Sequence, residues 1–158
     1  MRTLLTILVF SFLLYSCNDK IPGFELSTPS GWTRTDSISE TGRQETQLVS
    51  PGRRSNILVS IHKHHDVDKY MAGVVEGYRK SVVYLRKEDR GEATYGKHRF
   101  KWVLISSQPK NRPETFQQKI SFLQSGGYVF MIVATAGENG ITKIQDKIDE
   151  ILNSFTIT

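Results

Sequence analysis

The chain has a single cysteine, Cys17, so it holds no internal disulfide. It has no Gly-x-Ser-x-Gly elbow, no Gly-rich phosphate loop ahead of a helix and no Cys/His quartet with zinc spacing. Carboxylates are scattered singly, and spacing sets no pair of them across a cleft. No repeat, low-complexity block or linker interrupts the residues after Gly23. Long apolar runs are also scarce. The longest, Leu4 to Tyr15, has about twelve residues, against the roughly twenty that a bilayer-spanning helix needs, and polar Asn18, Asp19 and Lys20 follow closely. These absences argue against a disulfide scaffold, a repeat array and a permanent membrane span, and they remove the common signatures of nucleophilic, phosphoryl and zinc chemistry.

What is present begins with an export signal: one positive charge in Met1-Arg2-Thr3, then the apolar run. Ordinary signal cleavage needs small side chains at the first and third positions before the cut, and Leu14 is too large for that. Leu14-Tyr15-Ser16-Cys17 instead resembles a lipobox, with Tyr15 departing from the small residue usual at its position. The resemblance implies that residues 1–16 are a signal peptide removed before Cys17, and that Cys17 carries thioether-linked diacylglycerol and an amide-linked acyl chain. Two or three chains anchor firmly, because each buried methylene contributes about 0.8 kcal/mol. The expected organisation is residues 1–16 signal peptide, residues 17–23 lipidated cysteine and short tether, and residues 24–158 one folded domain. Residues 18–23 reach about 20 Å if fully extended. The expected location is the bacterial cell envelope, lipid-anchored and facing the periplasm, since Asn18-Asp19-Lys20 is no strong acidic run.

Lys and Arg number 21 and Asp and Glu 16, a formal charge of +5, and loss of Arg2 with residues 1–16 leaves about +4 on the remaining 142 residues. In the cytosol such a balance would suggest nucleic acid. For an exported, anchored chain no nucleic-acid partner is expected; anionic headgroups are nearer, and a solvated basic surface is the simpler reading.

Along the folded part, Phe24 to Ser27 alternates as a short strand, Pro29-Ser30-Gly31 turns, and Trp32 opens an extended piece. Gln44 to Val49 and Asn56 to Lys63 form a hairpin about Ser50-Pro51-Gly52. Asp66 stands at an N-cap position before a helix whose apolar stripe runs Val67, Tyr70, Met71, Val74, Tyr78, Val82, Leu85. Gly73 and Gly77 either weaken that helix or let it pack closely on a sheet. Three strands follow, Phe100 to Ser106, Glu114 to Gln124 and Tyr128 to Ala136, as an antiparallel meander. Phe116, Ile120 and Phe122 share one face of the second, with Gln117, Lys119 and Ser121 outward. The third is apolar on both faces, which predicts a mid-sheet position and three layers. The closing helix buries Ile141, Ile144, Ile148, Ile151, Leu152 and Phe155 against the core.

His62, His64, His65 and Asp66 are the one metal-like cluster in the sequence, and His62 and His64 share a strand face. A polar strand end leading into a capped helix is the preferred reading; metal ligation by His62, His64 and Asp66 is the alternative. Ser60-Ile61-His62-Lys63 has Ser-x-x-Lys spacing, but on a strand rather than at the helix start that chemistry uses.

The opening Phe24-Glu25-Leu26-Ser27-Thr28-Pro29-Ser30-Gly31-Trp32, the mid-chain helix and the closing Ile151-Leu152-Asn153-Ser154-Phe155 resemble the PsbP-like and DcrB-like family. That resemblance implies an α+β domain: an antiparallel sheet of about six strands with helices on its faces. It also implies a binding or assembly module rather than an enzyme, with an envelope protein or ligand as partner. With the missing motifs, no catalytic residues and no cofactor are expected, and an enzyme with an unrecognised site is the other alternative to the metal-binding one.

Overall fold

A computed structural model describes residues 20–158. The expected signal peptide, Cys17 and the first two tether residues, Asn18 and Asp19, lie outside these residues. The chain enters through β1 (Phe24–Glu25), followed by β2 (Thr33–Ile38), β3 (Gln44–Val49) and β4 (Ser55–Lys63). Then come α1 (Val67–Ser81), β5 (Val82–Tyr95), β6 (His98–Pro109), β7 (Phe116–Ser125) and β8 (Tyr128–Gly137). A 3-10 turn (Thr142–Ile144) leads into α2 (Gln145–Ser154), and β9 (Thr156–Ile157) closes the chain.

The main sheet is antiparallel with strand order β2-β3-β4-β8-β7-β6-β5, and β1 pairs with β9 in a separate ribbon. The architecture is α+β, with seven strands in the main sheet where the sequence suggested about six. The additional strand is β5. The stripe that ran to Leu85 stops being helical at Ser81, and the Val82 N–H caps the helix on the Tyr78 carbonyl. From there Val82, Val83 and Tyr84 favour a strand, being β-branched or aromatic. Leu85 still packs under α1, because β5 folds back beneath the helix, so the helical periodicity was coincidental.

β8 lies at the centre of the sheet, and its alternation feeds two cores. Phe130, Ile132 and Ala134 face α2, together with Ile57, Val59, Ile148, Ile151 and Phe155. Val129 and Val133 face α1, over Val103, Ile105, Ile120 and Phe122. Both faces being covered corrects the outward placement of Gln117, Lys119 and Ser121, which lie on the α2 side. Gln117 is 9% exposed and accepts the Ile141 N–H, and Ser121 is 2% exposed. Lys119 Nζ lies 3.2 Å from Gln145 Oε1 and 5.1 Å from the Trp102 ring centroid. Burial lowers its ammonium below the usual lysine value. Gly73 and Gly77 sit on the outer side of α1 with nothing within 4 Å of a Cβ, so they do not serve close packing.

The two ends of the sheet differ. At one end lie the Ser39–Gly42 turn, the Gly126-Gly127 turn and the entry of the chain. There the Gly23 N–H bonds Thr158 O at 3.0 Å and the Gln44 side chain bonds both backbone groups of Phe24. At the other end lie the Pro51–Arg54 hairpin loop, the end of β8 and the start of β7. The nine residues of β4 separate the ends by about 30 Å.

Candidate ligand-binding site at the hairpin end of the sheet

The histidine cluster sits at the entry end. Ser60 and His62 follow one another on the α1 face of β4, and Ser60 Oγ lies 2.8 Å from His62 Nε2. Tyr70 of α1 lies between His62 and His64, with centroid separations of 5.2 and 5.3 Å. Asp66 turns away from both imidazoles to accept the N–H groups of Asp68 and Lys69 at 3.0 Å, a helix cap. His64 Nδ1 is occupied by the Asp66 N–H at 3.1 Å, and His65 packs on Gly127. The structure therefore brings His62 and His64 onto one aromatic ring and sends Asp66 elsewhere. Among the described residues no group of three or more His, Cys, Asp or Glu could hold a metal ion. Lys63 lies on the opposite strand face from Ser60. Burial, and then the charge of Arg43, lower the His62 pKa, keeping the ring neutral at neutral pH. Burial pushes the Tyr70 phenol up to about 12.

The larger concavity is at the far end. Ser50 opens the β3–β4 loop; its Oγ accepts the Ser55 N–H at 2.9 Å and its carbonyl accepts the Arg53 N–H at 3.0 Å. These bonds hold a short loop in which Gly52 has φ 74° and Arg53 φ 56°. Left-handed backbone is free for glycine, whereas a long side chain there costs on the order of 1–3 kcal/mol. Arg53 and Asn139 are the two non-glycine residues with positive φ among the described residues, and Arg53 lines a cavity of about 700 Å³.

Trp32, Pro51, Phe116 and Ile144 supply its apolar wall. Trp32 is placed by the Pro29-Ser30-Gly31 turn, where its N–H bonds Pro29 O at 3.0 Å and Gly31 takes φ 79°. Arg53, Arg54 and Lys143 bring three cations, and among the described residues none of their side chains is hydrogen-bonded or ion-paired. Lys147 and Asp146 also line the cavity and pair with each other at 3.5 Å, with Glu150 3.4 Å from the same ammonium, so Glu138 is the lining carboxylate outside that ion pair. Across the loop, a second cavity of about 600 Å³ shares Ser50, Pro51, Arg53 and Ser55. It is otherwise lined by the hydroxyls and amides of Thr33, Thr35, Gln47 and Asn56. A concave site with an aromatic wall and a few converging polar groups is the usual form of a small-ligand site.

The sequence marks Ser50-Pro51-Gly52 as a turn and Trp32 as the start of an extended piece, and it marks neither as a site. The available signal was Arg53-Arg54 directly after the turn. Their meeting with Trp32 and Lys143 depends on β4 pairing with β8.

The chain superposes on the solution structure of cyanobacterial PsbP (CyanoP) from Synechocystis sp. with TM-score 0.59 at 13% identity, covering 86% of this chain and 87% of that one. It superposes on LpqN, described as involved in cell envelope biogenesis of Mycobacterium tuberculosis, with TM-score 0.51 at 16% identity, covering 87% and 84%. A Bacteroides thetaiotaomicron protein matches with TM-score 0.57 at 14% identity over 85% of this chain and 45% of that one. No protein-family model and no curated protein sequence matches the chain. The chain has the PsbP-like fold. At these identities the likeness is one of fold.

Proposed function

We infer that the protein is a lipid-anchored module of the bacterial cell envelope that binds a ligand or partner without catalysing a reaction. The observation that carries this reading is the short apolar leader ending in Leu14-Tyr15-Ser16-Cys17, seven residues ahead of the first described strand at Phe24–Glu25. The anchor is lipid on Cys17, and the mature domain spans residues 24–158 on the periplasmic side. Two further observations support the reading: the described helices include none long and apolar enough to cross a membrane, and the fold is shared with LpqN, whose description places it in cell envelope biogenesis. Binding rather than catalysis is supported by the environment of Ser60. Its hydroxyl is beside His62, but Ser60 is 4% exposed and a substrate does not reach it.

The test is Cys17→Ser in cells. The expected result is an uncleaved or mislocalised precursor that no longer incorporates a fatty-acid analogue. Unchanged membrane fractionation and labelling would overturn the anchor. For the binding reading, a His62→Gln/His64→Gln double variant is expected to complement a deletion strain. A stably folded double variant that fails to complement would shift the reading to a metal site or an acid–base pair.

A further inference from the structure

We propose that the paired cavities about the Pro51–Arg54 loop bind an anionic saccharide, with its carboxylate or phosphate held by Arg53, Arg54 and Lys143 and a sugar ring against Trp32. This deepens the reading above, since it names the ligand of an envelope binding module.

Charge sets the first requirement. Three cations without side-chain partners among the described residues face one cavity whose other lining charges are Glu138 and the paired Lys147 and Asp146, so the lining carries four cations against two carboxylates. Unpaired guanidinium groups suit the planar, two-oxygen faces of carboxylate and phosphate. Shape sets the second. A bare ion fills little of about 700 Å³, whereas that volume lies within the roughly 300–1,000 Å³ of small-ligand sites. The hairpin loop bounds the cavity on one side and the start of α2 on the other, which suits a compact ligand better than an extended peptide. The walls set the third. Trp32 and Phe116 line one side of the loop with aromatic carbon, and Thr33, Thr35, Gln47 and Asn56 line the other with hydroxyls and amides. An apolar platform beside a hydroxyl-rich pocket matches a sugar, whose ring faces are apolar and whose edges carry hydroxyls. Arg53 lines both cavities, and its left-handed backbone directs it from the loop that separates them.

Position argues against the headgroups of the protein's own membrane as the source of the anion. The chain enters at the opposite end of the sheet, about 30 Å from the hairpin along β4, so the site lies at the end of the domain remote from an anchor at Cys17.

The experiment uses the full chain in detergent micelles and follows tryptophan fluorescence, which reports Trp32 and Trp102. The probes are trigalacturonate, glucose 6-phosphate, neutral maltotriose, inorganic phosphate and hexaglutamate. One or both anionic sugars are expected to bind at least about tenfold tighter than maltotriose, phosphate or hexaglutamate. Which of the two binds assigns the anion as carboxylate or phosphate. The signal should vanish in Trp32→Phe and persist in Trp102→Phe. Arg53→Asn/Arg54→Gln, in which asparagine tolerates the positive φ, should weaken binding at least about tenfold. Lys20→Gln/Lys97→Gln, which removes two charges at the entry end, should leave it within about twofold. No binding by either anionic sugar, equal loss in both charge pairs, or tighter binding of phosphate or hexaglutamate would each overturn the proposal. Membrane fractionation of Arg53→Asn/Arg54→Gln is run alongside. Normal anchoring with absent sugar binding would fail this proposal alone and leave the envelope reading standing.

Discussion

Phe24 and Phe155 stack with ring centroids 5.6 Å apart and planes 18° apart, joining the first strand to the residue after the last helix. Phe155 also meets Phe100 and Phe130 edge-on at 6.0 and 5.6 Å and is 2% exposed. Phe155→Ala is therefore expected to cost about 3–5 kcal/mol, since its four-ring cluster cannot collapse on the void. Chemical denaturation measures this; a loss under about 1 kcal/mol would contradict a close-packed cluster. Truncation before Ile141 removes Phe155 with Ile148, Ile151 and Leu152, and is expected to abolish cooperative melting.

His62 links stability to acid. Burial holds its folded pKa below the ordinary value of 6.5, so the unfolded chain binds more protons as pH falls. This contribution to stability is present in full above about pH 6.5 and is lost as pH drops through that value towards the folded pKa. His98 is lowered too, first by burial and then by Lys97, and adds in the same direction. The melting temperature is expected to fall between pH 7.5 and 5, and to fall less in His62→Gln. An equal drop in that variant would remove His62 from the account.

Asp66→Ala is expected to cost about 0.5–2 kcal/mol, because its carboxylate accepts two backbone N–H groups at the start of α1. Asp66→Asn should recover much of the loss, since an amide oxygen can cap. If Asp66→Ala proves as stable as the parent in chemical denaturation, α1 is held by its packing alone.

Gly73→Ala and Gly77→Ala are each expected to stabilise the protein by up to about 1 kcal/mol. An added methyl meets nothing within 4 Å at either position, so only the backbone entropy changes. Destabilisation in either variant would mean that the outer face of α1 is covered in the native protein.

Much of the fold was legible in local chemistry. The Asp66 cap, the Pro29–Trp32 turn, the β3–β4 hairpin and the buried stripe of α2 depend on neighbours a few residues apart, and the structure contains each of them. Residues of β8 apolar on both faces announced a central strand, because only a strand covered twice can keep them from water.

β5 was not legible. Its Lys87 to Glu92 segment is densely charged and it bulges between Lys87 and Asp89, as edge strands do, so neither periodicity nor hydrophobicity marks it. Gly91 lies there because Trp102 of β6 crosses it, with ring atoms 2.9 Å from where a Cβ would stand.

The site at the hairpin end belongs to the same category. The sequence by itself determined the turn, the cap and the apolar faces of the two helices, since these arise from adjacent residues and from solvent. Only the tertiary structure decided that His62 and His64 meet Tyr70 of α1, and that Trp32, Arg53 and Lys143 meet at one cavity. The physical reason is that such meetings depend on strand pairing between segments far apart in the chain, and spacing along the chain does not encode that distance.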